Sequence, residues 1–186
     1  MKLAPLLSYG LMSLAAGVAF ATLLALLARI VSGRPQWHWW LLLASTGFFL
    51  ALTQLPLADP AGLTCPVPFT EPALQPFRLF HDLAAGGLDT GGTGKGATVR
   101  FLVSTIMNLF VCGVIGAALA RHSNRLSVAL LFGLALSLAA EFTQLTGIWG
   151  YYPCPARQFD IDDIIFNVAG VAIGFLLMRA ARQRRP

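Results

Sequence analysis

The sequence predicts an all-α integral membrane bundle of about five transmembrane helices, with a long external loop that contains a short interfacial helix. Three observations lead there. Apolar residues make up 56% of the 186 and charged residues only 11%, against about 25% charged in a soluble domain. The apolar residues fall in long uninterrupted runs, and a bilayer core takes about 20 such residues per helix. The net charge of +5 sits mostly between those runs and at the C-terminus. Charge placed in this way orients spans and meets anionic lipid, and it does not describe a surface for nucleic acid.

The first span runs from Leu6 to Val31 and the second from Trp39 to Leu57. Lys2 ahead of the first gives it the look of a signal peptide. Its apolar stretch is well beyond the roughly 7–15 residues of such a leader, so it reads as an anchor. His38 lies among Trp37, Trp39 and Trp40, a cluster that reads as an aromatic belt at the membrane edge. Together residues 1–57 form one unit of two helices.

Residues 58–98 form the external loop. Pro60, Pro66, Pro68, Pro72 and Pro76 keep its first part extended. Phe77, Phe80 and Leu83 then recur at helical spacing, with Arg78 and Asp82 four apart, which predicts a short helix lying in the interface. His81 and Asp82 are adjacent and diverge by about 100° on a helix, so they read as interface residues and not as a catalytic dyad. Gly86 to Gly96 reads as a tether. Its Gly94-Lys95-Gly96 lacks the earlier glycine and the following Ser or Thr of a phosphate loop, having Asp89 and Gly96 there.

Residues 99–186 supply three more spans, Val99–Ala120, Leu126–Ile148 and Ile161–Met178, and a basic tail. Arg29, Arg34, Arg121, Arg125, Arg179, Arg182, Arg184 and Arg185 all fall on one side of this arrangement. Lys2, Arg78, Lys95, Arg100 and Arg157 fall on the other. The positive-inside bias therefore predicts an external N-terminus and a cytoplasmic C-terminus. All the acidic residues (Asp59, Glu71, Asp82, Asp89, Glu141, Asp160, Asp162, Asp163) lie outside or in the outer part of a span.

Ionisable and amide groups within spans raise a functional hypothesis. Glu141 and Gln144 are three apart on span four. Arg157, Asp160, Asp163, Asn167, Gly170 and Gly174 follow one another in steps of three and four, which predicts a single helical face. Asp162 points away from it. Arg100, Ser104 and Asn108 make a matching face on span three, and Gln54 ends span two. Asn108, Glu141 and Asn167 are expected at similar depth, on the order of 10–15 Å below the outer surface at 1.5 Å per residue. Such groups must face one another or a wet cavity. Gly170 and Gly174, with Gly113 and Gly116, read as positions of close helix approach.

Cys112 falls within a span and reads as a small packing residue. Cys65 and Cys154 both fall in external segments, where an oxidising compartment lets them pair. Two free thiols are the alternative. Without nearby histidines they make a poor zinc site.

The stretch from Glu141-x-x-Gln144 through Arg157, Asp160, Asp163, Asn167, Gly170 and Gly174, with a helix carrying Asn108 and a basic turn before it, resembles the VanZ-like family. That family is named for an accessory teicoplanin-resistance protein. The resemblance covers Arg100 to Met178, and its most specific part is RQFDIDDIIFNVAGVAIGFLL. The chain departs from it at Cys112 and Val114, where the family tends to Phe and Pro, and in the added YYPCPA segment. The resemblance implies a protein at the outer face of a bacterial cytoplasmic membrane. There it would bind a cell-envelope lipid head group, such as a lipid-linked precursor, or alter how lipoglycopeptide antibiotics reach their target. No cofactor is fixed by it.

The sequence leaves two further classes open. Glu141, Asp160 and Asp163 are hard oxygen donors that suit a divalent cation, and with it an enzyme acting on a phosphate-bearing lipid. Alternatively the chain is a non-catalytic subunit of a membrane assembly, its acids neutralised by Arg100 and Arg157 in a buried network. The oligomeric state is not fixed by the sequence. The predicted topology has a direct check. A cysteine introduced at Gly150 should react with a membrane-impermeant maleimide added to intact cells, and one introduced after Arg185 should react only once the membrane is broken.

Overall fold

In a computed structural model of the chain, the described residues are 3–33, 39–54, 71–78, 81, 95–155 and 157–184. Side chains are described from residue 10 in the first helix and from residue 102 in the third. Five long helices dominate: α1 (Leu3–Ser32), α2 (Trp40–Gln54), α3 (Lys95–Leu119), α4 (Leu126–Leu145) and α5 (Ile161–Gln183). Four contain stretches long and apolar enough to cross a membrane, namely Gly10–Ser32, Leu102–Leu119, Leu126–Leu145 and Ile161–Gln183. The shorter α2 has 15 residues, about 22 Å at helical rise. The rest of its predicted span, Leu55 to Leu57, lies outside the described residues. The protein is a multi-pass helical membrane bundle.

Its surface is apolar in the manner that lipid requires. Leu23, Ile30, Phe110, Leu131 and Leu177 are all exposed, while Ile115, Val171, Phe175, Phe49 and Cys112 fill the centre. The most extensive contact is α3 against α5; α4 lies on another side of α5, α2 leans on α3, and α1 packs on α2. Glycines allow the closest approaches. A Cβ on Gly174 would stand 1.8 Å from the Gly113 carbonyl oxygen, and one on Gly116 would stand 2.0 Å from that of Val171. At the α1–α2 crossing, a Cβ on Gly17 would meet the Phe48 amide nitrogen at 2.5 Å.

Helix ends differ from the sequence expectation at three places. The predicted tether gives up its last residues to α3, which begins at Lys95. The fifth helix continues past Met178 to Gln183. The fourth stops at Leu145, short of Ile148, because the chain turns left-handed there: Gly147, Ile148, Trp149 and Gly150 have φ of 59°, 55°, 59° and 85°. That turn is tied down locally. The Trp149 amide donates to Thr146 Oγ1 at 3.1 Å, the Gly150 amide to Thr146 O at 2.9 Å and the Tyr152 amide to Gly147 O at 2.8 Å.

Beyond the turn, the chain runs extended into α5 and is met there by the loop. The Ala73 amide donates to Phe159 O at 2.8 Å, the Ile161 amide to Ala73 O at 3.0 Å, and Ala73 and Asp160 form a parallel β-bridge. Gln158 Nε2 adds a bond to Glu71 O at 2.9 Å. Of the predicted interfacial helix, Arg78 and His81 are helical and the His81 amide donates to Phe77 O at 3.2 Å. Phe80, Asp82, Leu83 and the tether to Gly94 lie outside the described residues, as do Trp37 and His38.

The opposite end is held by arginines. Arg179 and Arg182 each donate from Nη1, to Asn124 O and Ala120 O, both at 2.7 Å. Ala120 follows the last residue of α3, so Arg182 satisfies a carbonyl at that helix end and its dipole together, while Arg179 holds the turn before α4. Trp39 stacks on His122 with ring centroids 3.8 Å apart.

Two stability outcomes follow from this geometry. Gly174→Ala forces a methyl into the Gly113 carbonyl and should destabilise the folded bundle in detergent by about 1–3 kcal/mol, as overpacking does. Gly10→Ala, which meets nothing within 4 Å, should not. Ile148→Gly removes a β-branched residue from the left-handed region and should raise the melting temperature, the relief being about 1–2 kcal/mol. Thermal melts of the three variants in one detergent measure both effects.

Candidate functional site

The site is built at the end of the bundle where α4 finishes and α5 begins. Asp160 is the N-cap of α5, with extended backbone (φ −129°, ψ 120°), and its Oδ1 accepts the Asp162 amide at 2.9 Å. Capping by a carboxylate, with Asp162 and Asp163 in the first turn, suits the unsatisfied amides and the positive end of the helix dipole. Glu141 reaches across from α4, and its Oε2 accepts the Asp160 amide at 3.0 Å. Glu141 is only 3% exposed.

One step into the bundle, Asn108 of α3 donates from Nδ2 to Asp163 Oδ1 at 3.0 Å. Deeper again, Asn167 donates from Nδ2 to Ser137 Oγ at 2.9 Å and accepts from Cys112 Sγ at 3.4 Å. The polar face is therefore a ladder of separate rungs: Glu141 with Asp160, Asn108 with Asp163, and Asn167 with Ser137 and Cys112. The expected common depth of Asn108, Glu141 and Asn167 does not hold. Asn167 finds its α4 partner at Ser137, one turn deeper than Glu141.

Other members of the predicted face are placed differently. Arg157 and Asp160 precede the helix, so helical steps do not carry them onto its stripe. Arg157 is exposed. It makes no hydrogen bond or ion pair with Glu141 or Asp163 among the described residues, although its field acts on both. Gln144 is three residues from Glu141, hence about 60° round the helix, and it faces α2, where its Nε2 donates to Thr53 O at 2.8 Å. Gln54 returns the contact from Nε2 to Ala140 O at 3.3 Å. Ser104 is half-buried; the side chain of Arg100 lies outside the described residues. Gly170 packs a turn below the site, where a Cβ would meet Leu109 O at 2.5 Å.

Asp162 is a site residue that periodicity passed over. It is 1% exposed, and its Oδ1 accepts the Phe77 amide from the docked loop. Its Oδ2 is buried without a hydrogen-bond partner among the described residues. Phe77 takes a left-handed φ of 59° to present that amide. Ser137 is equally inconspicuous, being one of two serines in an apolar helix. The only available signal was the run Asp160-Ile-Asp162-Asp163 itself, where three carboxylates at a helix start exceed what capping needs.

The carboxylates keep oxygens to spare. Glu141 Oε1, Asp160 Oδ2 and Asp163 Oδ2 accept no hydrogen bond among the described residues. No group of three or more His, Cys, Asp or Glu lies close enough to hold a metal ion among those residues. Asp160, outside the spans, has its carboxyl held above the ordinary carboxylate range by burial and by the charge of Asp162. The Asp162 amide and the Arg78 guanidinium oppose that rise. Cys154 is disulfide-bonded, Cys112 is free and buried, and Cys65 lies outside the described residues.

A model of the family described as VanZ/LLP1 matches residues 39–182, well over half of the chain. No curated protein and no solved structure matches the chain.

Asp160→Asn keeps an oxygen for the Asp162 amide and tests the electrostatics of the rim. A raised folded pKa means that folding favours the protonated acid. Its stabilising contribution is complete below the unfolded value, about 3.9, and is lost as pH rises through the folded value. The variant does not suffer that loss, so it should gain stability relative to the parent as pH rises from about 4. Melting curves of both proteins across that range measure the difference; a gap independent of pH would show that Asp160 titrates normally.

Proposed function

Because the chain belongs to the VanZ/LLP1 family, we propose that it binds the head group of a cell-envelope lipid at the outer face of a bacterial cytoplasmic membrane. The observation that carries this reading is the set of carboxylate oxygens left over at the α4–α5 junction. Buried carboxylates without a cationic partner are costly in a membrane protein, and a head group bearing an ammonium, hydroxyl or amide donor would satisfy them. Donors suit this site better than a phosphate would, since phosphate is repelled by the acids. A phosphate of the same lipid would lie outward, beside exposed Arg157.

Charge and redox chemistry support the outer placement. The opposite end of the bundle carries Arg121, Arg125, Arg179, Arg182 and Arg184, the cytoplasmic pattern. A disulfide at Cys154 suits an oxidising compartment, and Cys65 is the partner we propose for it. In this reading residues 99–186 form the binding core and residues 1–57 a helical support. By occupying an envelope lipid, the protein would change how lipid-anchored glycopeptide antibiotics reach their target. Turnover is not required.

Native mass spectrometry of protein released from nanodiscs made with envelope lipid extract tests the proposal. The parent should retain a lipid adduct. Asp163→Asn loses one charge-assisted contact, about 1.5–3 kcal/mol, and should weaken retention roughly 10- to 100-fold. Equal retention by parent and variant would sink the reading. Release of a dephosphorylated lipid on adding Mg²⁺ would replace it with the metal-dependent enzyme.

A further inference from the structure

The left-handed turn after α4 is not used by the carboxylate site, yet it holds unfavourable backbone. Ile148 and Trp149 sit at φ 55° and 59°, a region that side-chain-bearing residues rarely enter and β-branched ones almost never. What the turn presents is aromatic and outward. Trp149 is 74% exposed and Tyr151 is 59% exposed.

We propose that the Gly147–Gly150 turn is a lipid-interface anchor, which holds Trp149 and Tyr151 among the head groups at the site end of the bundle. The length of α4 places it there. Its 20 residues span about 30 Å at helical rise, the thickness of a hydrocarbon core. The helix begins at Leu126 next to Arg125, at one membrane surface, so the turn that follows Leu145 emerges at the other. Below it, the outward face of α4 (Val128, Leu131, Leu134, Phe142) is exposed and apolar, and the turn continues that lipid-facing surface. Trp and Tyr have an apolar ring and a polar N–H or O–H, the combination that partitions to this boundary.

The anchor is tied to the bundle by packing. The Tyr151 and Tyr152 rings form a T-shaped pair with centroids 5.0 Å apart, and Tyr152 is 4% exposed, inside the bundle. A side chain on Gly147 would meet the carbonyl oxygens of Cys154 and Tyr152 at 2.7 and 2.8 Å, so the following segment lies tightly on the turn. Glu141 is about one helical turn from the end of α4. An anchor fixed to that end sets the depth of the Glu141–Asp160 rung at the boundary between acyl chains and head groups. The inference stands whether or not the site binds a head group.

Fluorescence quenching of the full chain in nanodiscs tests it. The difference between parent and Trp149→Phe isolates residue 149 without altering the three other tryptophans. Phosphatidylcholine brominated at carbons 6 and 7 should quench that component at least twofold more strongly than lipid brominated at carbons 11 and 12. Aqueous acrylamide should quench it less than half as well as free tryptophan. Quenching by acrylamide at the free rate would place the turn in water and overturn the proposal. Protection from both quenchers would mean that protein covers it, a second copy included, and would overturn it equally. Should Trp149→Phe fail to fold, Tyr151→Trp measured against the parent gives the same reading from the neighbouring position.

Discussion

The close approach of α3 and α5 is the constraint on which the other contacts rest. Lipid gives apolar helices no hydrophobic reason to associate, so packing and interhelical hydrogen bonds must do so. At Gly116, Gly170 and Gly174, backbone of one helix lies in space that a side chain on the other would occupy. Only at that separation can the short amide of Asn108 reach Asp163, and the thiol of Cys112 reach Asn167. Each of these groups would otherwise be a polar atom facing hydrocarbon, so backbone packing and polar pairing depend on each other.

The carboxylates are tolerated because one oxygen of each has a structural duty. Asp160 caps α5, Glu141 takes the Asp160 amide, Asp163 holds Asn108 and Asp162 holds the loop at Phe77. Hydrogen bonds from amides and the positive end of the α5 dipole supply stabilisation that ion pairs supply elsewhere. In the proposed reading, the second oxygens of Glu141, Asp160 and Asp163 would meet the head group while the first ones keep their bonds to the fold.

The two ends of the bundle are built unequally. At the basic end, arginines close on carbonyls and the turn between α3 and α4 is short. At the other end, an extended segment, a docked loop and a left-handed turn crowd together around the acids. Non-glycine residues at positive φ among the described residues are Phe77, Ile148 and Trp149, and all belong to that end. Strained backbone persists only where surroundings hold it, and it concentrates where a protein acts. The irregular end is where turn, loop and carboxylates meet.

The membrane class, the helical bundle and the rough limits of its spans were fixed by the sequence alone, because long apolar runs have no other stable use. The polar positions Asn108, Glu141, Asp163 and Asn167 were legible too, since amides and acids in apolar helices stand out by composition. Their pairing was not. A three- or four-residue step assumes continuous helix, and the chain is extended above Ile161, so Arg157 and Asp160 left the predicted face. Gln144 diverged to α2, and Ser137 became the partner of Asn167 through the offset between helices, which no local spacing records. Asp162 and Phe77 are 85 residues apart, and their contact exists only because the loop folds back on the start of α5. Local periodicity encodes which side of a helix is polar. Which polar group it meets is settled by how closely the backbones pack and where the chain between them returns.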